Sequence, residues 1–492
     1  IFVFSVVGIF LYHRLDYAFT NYVFGDAGAS WHAVHLIRSG KLPGVDFAYQ
    51  YGALSLGIFD ASLRILGDNP QGCYAFGTLS VLVLVILQIV FAKRIRANRP
   101  ALMLGFCWLL SSQRMLFLSA AHALEPLVLG LAAVAIGFQK KRLAMILCVI
   151  AWFIKPAMAA VMLSMLLIWH TFDEIHYQGK LRLFLRDLLV ILLSFLFLFS
   201  ITLVWLGWQS ASSMVIPSQG TGVYKALNFG FFRGSGSSMW FLPGASLGYY
   251  LGTQSASWLV LNVVLCFISL VILARWIRTR KVSPEFRDPL GELTVFLFLS
   301  HTAFVCFFYG QLWSWMYYAW LLWMTTLSAI TWISEQTGLK CFARRLAWTL
   351  IILSLLGNYS NARQVLASLR FDQPVESRFG LFASSEFCGA WKEMQSELNH
   401  SPACISLLIG YGEGVLGSPF FTPQYWCIAP GDTFEPMFHE MNRAIQEAEQ
   451  IVLFMHENLD YFEVQKKQIE LGFQRVFVRN ISGNRLELWQ KK

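Results

Sequence analysis

Charge is scarce in this sequence: 14% of its 492 residues are Asp, Glu, Lys or Arg, 56% are hydrophobic, and the mean hydropathy is +0.53. A soluble fold of this length could not bury so much apolar surface, so lipid must solvate most of the chain. Acidic residues are the scarcer sign, 29 against 38 basic ones, for a net charge of +9. That excess does not point to nucleic acid, because the Lys and Arg stand in short loops between apolar runs, where a membrane protein uses them to set its topology. Paired cysteines are lacking. The nine cysteines show no C-x-x-C spacing, and Cys73, Cys107, Cys148, Cys266, Cys306 and Cys341 lie in or beside apolar runs, which argues against a zinc or redox centre. Cys388, Cys404 and Cys427, nearer the C-terminus, can hold one disulfide if that region faces an oxidising compartment. Internal repeats and low-complexity tracts are also lacking. Gly410-Tyr411-Gly412-Glu413-Gly414 does not have G-x-G-x-x-G spacing and reads as a turn. The opening run, Ile1 to Leu11, is too short to span a bilayer and carries neither Met nor a basic segment before it, so the natural N-terminus is expected to be missing.

What is there is a succession of apolar runs of spanning length with basic clusters between them. Lys93-Arg94-Ile95-Arg96, Lys140-Lys141-Arg142, Lys180 to Arg186, Arg275 to Arg287 and Lys340 to Arg345 are expected on the cytoplasmic side. Spans at 73–92, 101–118, 123–139, 188–208, 247–274, 290–309, 317–333 and 347–360 satisfy the alternation. Residues 143–170 connect two cytoplasmic clusters and must cross an even number of times, although they suffice for barely one and a half spans. Lys155-Pro156 interrupts them, which predicts two short helices that enter and return, with Lys155 at the apex. The expected fold is a mainly α-helical polytopic membrane protein of about eleven transmembrane helices over residues 1–360, with a small extracytoplasmic α/β domain over 361–492. In that second domain Cys404 to Leu408 reads as a strand, Glu435 to Gln450 as a helix, Ile451 to Met455 as an apolar strand and Tyr461 to Leu471 as an amphipathic helix, and two strands close the chain.

The first outer loop, 12–72, is too long and too ordered for a connector. Asp26 precedes Trp31, His32, His35 and Leu36 at helical spacing; then come Gly40 and Pro43, Asp46-Phe47, and Tyr49-Gln50-Tyr51-Gly52-Ala53-Leu54. Each acid also has an ordinary use, Asp26 as a helix N-cap and Asp46 as a partner for turn amides. Asp26, His32-Ala33, Gly40, Pro43, Asp46-Phe47, Tyr49, Tyr51-Gly52 and Leu54 together resemble the first outer loop of the C-type polyprenyl-phosphate-sugar glycosyltransferases. These multi-spanning enzymes include the protein O-mannosyltransferases and the lipid A aminoarabinose transferase. Ile154-Lys155-Pro156 resembles a Lys-Pro element of the same family. Where many members carry Asp-Glu, this chain has Asp26-Ala27.

The resemblance implies an inverting glycosyl transfer from a polyprenyl-phosphate donor to a lipid, glycan or protein acceptor, at a site facing the periplasm or exterior of a bacterial inner membrane. Asp26 maps to the catalytic carboxylate and Asp46 to a second acid near the same cavity. Such a transfer needs a carboxylate to take the acceptor's proton and cations to stabilise the departing phosphate. Lys155 and Arg114 are the candidate cations, with His122 and Glu125 beside Arg114 on the second outer loop. A charge at membrane depth is functional by default, although a lysine can also snorkel to the interface. His32, His122, Glu125, Tyr51, Trp315 and Tyr317 are candidates to hold the acceptor or sugar. Aromatics of the loop from Gln209 to Tyr250 could stack on sugar rings, and an interfacial belt explains them nearly as well. A divalent cation stays open, because two separated acids supply too few ligands to specify one. The rival readings are a transporter or flippase of lipid-linked substrates, a polysaccharide ligase or polymerase, and a non-enzymatic scaffold. A transporter calls for broken helices at matching places in two halves, and only one broken pair is legible.

Overall fold

A computed structural model describes residues 26–47, 49, 51–99, 102, 120–171, 181–215, 254–282, 288–308, 319–336, 338–357, 375–376, 382–383, 385–398, 404–408, 435–456, 463–481 and 484–492. Two helices of the first loop come first, α1 (Asp26–Arg38) and α2 (Ala53–Leu66). Nine more follow in the apolar part: α3 (Pro70–Arg94), α4 (Ala120–Gly137), α5 (Lys141–Trp152), α6 (Pro156–Thr171), α7 (Leu181–Val215), α8 (Gln254–Val282), α9 (Pro289–Phe308), α10 (Ala319–Glu335) and α11 (Lys340–Gly357).

Among the described residues, three helices are long and apolar enough to cross a membrane, over Ala75–Arg94, Ala120–Gly137 and Leu181–Val215. The protein is an integral membrane protein, mostly helical. One face of α7 is left to lipid: Leu189, Leu193, Leu196, Phe197, Ile201 and Val204 are exposed along it, an apolar surface no water-soluble monomer would leave bare. The helix runs well past the expected 188–208, to Val215, and changes direction at Gly207, whose φ of 77° is open to glycine at little cost. α4 packs between α3 and α5, α9 between α6 and α10, and α5 against α7.

The 143–170 stretch breaks where its Lys-Pro step predicts. The chain tightens as α5 ends, the Phe153 and Ile154 amides donating to the Ile150 and Ala151 carbonyls at 3.1 and 3.0 Å. Pro156 then starts α6 in the first turn, where a missing N–H forfeits no helical hydrogen bond. Lys155, between the two helices, is buried at 4% exposure.

Beyond α11, β1 (Val375–Glu376) and β2 (Phe382–Ala383) pair antiparallel. α12 (Ser385–Ser396), β3 (Cys404–Leu408), α13 (Glu435–Glu447), β4 (Gln450–His456), α14 (Glu463–Gly472), β5 (Phe473–Ile481) and β6 (Asn484–Lys491) follow. The larger sheet has the order β3-β4-β6-β5, parallel between β3 and β4 and antiparallel elsewhere. Helix α13 makes the crossover that a parallel pair requires. Glu487 is buried in β6 and accepts from Arg475 at 3.1 Å and from Trp489 Nε1 at 2.8 Å, with Arg485 Nε in ion-pair range at 2.5 Å. The side chains of Cys388, Cys404 and Cys427 lie outside the described residues, so their disulfide stays an expectation.

Candidate active site

Helix α1 is pinned along one face. Trp31, His35 and Arg38 recur at the spacing of successive turns, and all three reach Asp68: Trp31 Nε1 donates to it at 2.8 Å, His35 Nε2 lies 3.1 Å away, and Arg38 pairs with it. Arg38 Nη2 also meets Asp60 at 2.6 Å, and Arg64 holds the other oxygen of Asp60 at 3.1 Å. Asp68 is released for this role because Asn69, not Asp68, caps α3 by accepting the Gly72 amide at 2.9 Å. Partial burial works to raise the Asp68 carboxyl, and the Trp31, His35 and Arg38 contacts outweigh it and hold the group below the usual range. His32 is buried on another side of α1, where loss of water first, and the charges of His35 and Lys41 second, bring its imidazole down to about 3. It is neutral at physiological pH.

The opposite edge of α1 leads inward. Ser30 bonds Tyr49, and its Oγ stands 3.4 Å from the Ala120 amide where α4 begins. Tyr49 Oη lies 3.0 Å from Ser55 Oγ, which donates to the Gly52 carbonyl at 2.7 Å. Burial raises the Tyr49 phenol above its ordinary range against the pull of those serines. Tyr49 stacks edge-on to Tyr51 at 5.5 Å between ring centroids, and Tyr51 does the same to His122 at 5.4 Å. The Tyr51 hydroxyl and His122 Nδ1 are 3.5 Å apart.

The segment carrying those tyrosines is fastened to the break between α5 and α6. The Gly52 amide donates to the Ile154 carbonyl and the Leu54 amide to the Phe153 carbonyl, both at 2.9 Å. These are carbonyls that the end of α5 leaves without a helical partner. The approach is so close that a Cβ on residue 52 would fall on the Phe153 carbonyl. One turn along α4 from His122, Glu125 Oε2 meets Lys155 Nζ at 3.3 Å, and both side chains are almost wholly buried. Four of the residues expected to act together, Tyr51, His122, Glu125 and Lys155, are thereby gathered at one place.

One expectation needs correction. Glu125 is not on a loop: with His122 it lies inside α4, and its ionic partner is Lys155. Asp46 accepts the Leu42 amide at 2.6 Å, the turn-closing use of an acid at such a position. Asp26 is the first residue of α1, one turn before Ser30; its side chain lies outside the described residues, as do Arg114, Trp315, Tyr317 and the aromatic stretch 216–253. Ser30, Ser55 and Asp68 carry no signal in the sequence as parts of the site, and Tyr49 stands there only as a letter of the loop motif. Among the described residues, no group of three or more His, Cys, Asp or Glu could hold a metal ion.

No known family and no curated protein matches the sequence. The crystal structure of ArnT from Cupriavidus metallidurans bound to undecaprenyl phosphate superposes with a TM-score of 0.53, covering 99% of this chain and 97% of that one at 11% identity. The fold is ArnT-like. ArnT is the lipid A aminoarabinose transferase, a glycosyltransferase of the C type. The apo crystal structure of the Archaeoglobus fulgidus oligosaccharyltransferase matches with a TM-score of 0.45 at 10% identity, over 92% of this chain and 69% of that one.

Proposed function

We propose that this protein transfers a glycosyl residue from a polyprenyl-phosphate donor to an acceptor on the outer face of a bacterial cytoplasmic membrane, with inversion. The observation that carries this reading is the buried Lys155–Glu125 pair, set at a helix break and fastened beneath the Tyr49–Gly52 segment. The shared fold supports it, since ArnT was crystallised with undecaprenyl phosphate. A buried ion pair is a poor way to stabilise a protein, because desolvation offsets much of the attraction. Its better use is to keep a cation ready for an anion.

In this mechanism Lys155 receives the donor phosphate, with Glu125 as its resident counter-ion, and Arg114 is the second cation. The acceptor hydroxyl oxygen attacks the anomeric carbon from the face opposite the phosphate. As that bond forms, the carbon–oxygen bond to phosphate breaks and its electron pair leaves with the polyprenyl phosphate, whose growing charge Lys155 stabilises. The hydroxyl proton passes to Asp26. Asp46 closes the turn that presents the tyrosines and is the second acid of the loop. Tyr51, His122 and His32, with Trp315 and Tyr317, contact sugar or acceptor.

The test is an assay of purified protein with a panel of radiolabelled polyprenyl-phosphate sugars. Asp26→Asn should lower transfer by about 100-fold or more, the scale of a lost general base. Lys155→Met, made together with Glu125→Gln to avoid a lone buried charge, should do likewise while the protein stays monodisperse. An Asp26→Asn protein working at the wild-type rate would sink the proposal. A folded wild type that turns over no donor but moves lipid across liposomes would favour the transporter reading. Products of many sugar units would favour a polymerase.

A further inference from the structure

Lys155 stands at one end of α6, and at the other, about 20 Å along the helix axis, the bundle offers a second site of different character. Helices α6, α8 and α9 leave a trough of about 430 Å³ between them, lined by Met165, Ile168, Leu273, Ile277, Val295 and Leu299 among others. It is open to the lipid, for Ile168, Ile277 and Leu299 are 51%, 43% and 43% exposed. Its polar end is Trp276, whose indole N–H donates to Glu292 at 3.1 Å.

Trp169 and Glu292 line both this trough and an adjoining polar pocket of about 370 Å³. That pocket is walled by Lys140, Lys141 and Arg142. Arg142 is committed to Asp187, at 2.8 Å through Nε and 2.5 Å through Nη2, and His170 lies 3.3 Å from the same carboxylate. Lys141 Nζ stands 4.8 Å from the centre of the Trp169 ring, at the junction of trough and pocket. Lys140 is exposed at the start of α5. Among the described residues, Lys140, Lys141 and Arg142 face Asp187 and Glu292 in the lining of this mouth, and Arg186 lies 3.7 Å from Asp187 beside it.

We propose that trough and mouth together hold one anionic glycerophospholipid, an acyl chain along Ile168, Leu273 and Leu299 and the phosphodiester at Lys140 and Lys141. The pairing of a lipid-open apolar channel with a basic pocket at its end matches the two halves of such a molecule and no soluble anion. Basic pockets between helices on the cytoplasmic side are where anionic headgroups are held, and Lys140 to Arg142 is one of the clusters assigned to that side by charge. The site is separate from the donor's, which lies at the other end of α6.

Native mass spectrometry of the purified full chain tests this, with phosphatidylglycerol and phosphatidylcholine of identical acyl chains added in turn. The wild type should prefer phosphatidylglycerol about 25-fold. Replacing both exposed-side lysines, Lys140→Gln with Lys141→Gln, should weaken phosphatidylglycerol about 25-fold, on the basis of about fivefold per lysine at a membrane surface, and leave phosphatidylcholine unchanged. Leu273→Trp, which fills the trough, should weaken both lipids. Equal binding of the two lipids by the wild type, or an undiminished preference in the lysine variant, would overturn the proposal. So would displacement of bound lipid by millimolar inorganic phosphate, which would mark a free-anion site, or a stoichiometric protein seated there in place of lipid.

Discussion

Gly52 is where a single methyl group should do most harm. Its amide is bonded to Ile154 and the space over its Cα is filled by the Phe153 carbonyl, so Gly52→Ala must push the first loop off the break between α5 and α6. Backbone displaced by an overpacked methyl costs about 1–3 kcal/mol. The variant should melt several degrees lower in detergent and lose most of the transfer activity proposed above, since Tyr51 moves with it; unchanged melting would show that the junction is looser than drawn. Glu125 is the second sensitive position. Glu125→Gln strands Lys155 without its carboxylate, at a cost on the order of 3–5 kcal/mol, whereas adding Lys155→Met should restore most of that loss. A double-mutant cycle on thermal unfolding measures the difference directly.

The elements of the first loop are held by contacts of a different kind, between side chains on α1 and acids that follow it. Asp68→Asn should loosen the α1 face carrying Trp31 and His35, leaving Arg38 to Asp60 alone, and limited proteolysis between residues 38 and 53 should quicken several-fold. The pH dependence has a definite sign. His32 is neutral in the fold down to about 3, while an unfolded chain takes up its proton near 6.5, so stability is full above 6.5 and declines as pH falls from there toward 3. Asp68, held below its ordinary 3.8, adds a further loss only beneath that value. Melting temperatures of wild type at pH 7.5 and 5 should therefore differ, and His32→Gln should narrow the gap; a gap of unchanged size would place the proton elsewhere. Helix α1 was legible from the spacing of Trp31, His32, His35 and Leu36, because amphipathic periodicity is a local property. Its anchors were not, because Asp60 and Asp68 lie 22 and 30 residues beyond Arg38 and only the folded chain brings them together.

At the scale of the molecule, the alternation of basic clusters and apolar runs was enough to expect a helix pair broken at Lys155, since charge asymmetry and a proline are written in the sequence itself. The continuation of α7 through Gln209 to Val215 was not, because apolarity marks where lipid ends and not where a helix does. Nor could the sequence say which acid answers Lys155: Glu125 is on another helix, and only packing selects it over the other acids of the chain. If Lys155 receives the donor phosphate, polyprenyl phosphate at a hundred times its dissociation constant should stabilise the folded protein by about 2.7 kcal/mol, raising its melting temperature measurably. The protein carrying Lys155→Met with Glu125→Gln should show no such rise.

The junction at Gly52 and Leu54 is made of peptide groups alone, donor and acceptor both from the main chain. Apart from the demand for no side chain at 52, it is blind to which amino acids stand on either side. Substitutions could therefore accumulate around it for a very long time without loosening it, and two chains could keep such a joint after almost every letter around it had changed. A geometry secured this way leaves little trace for sequence comparison to find.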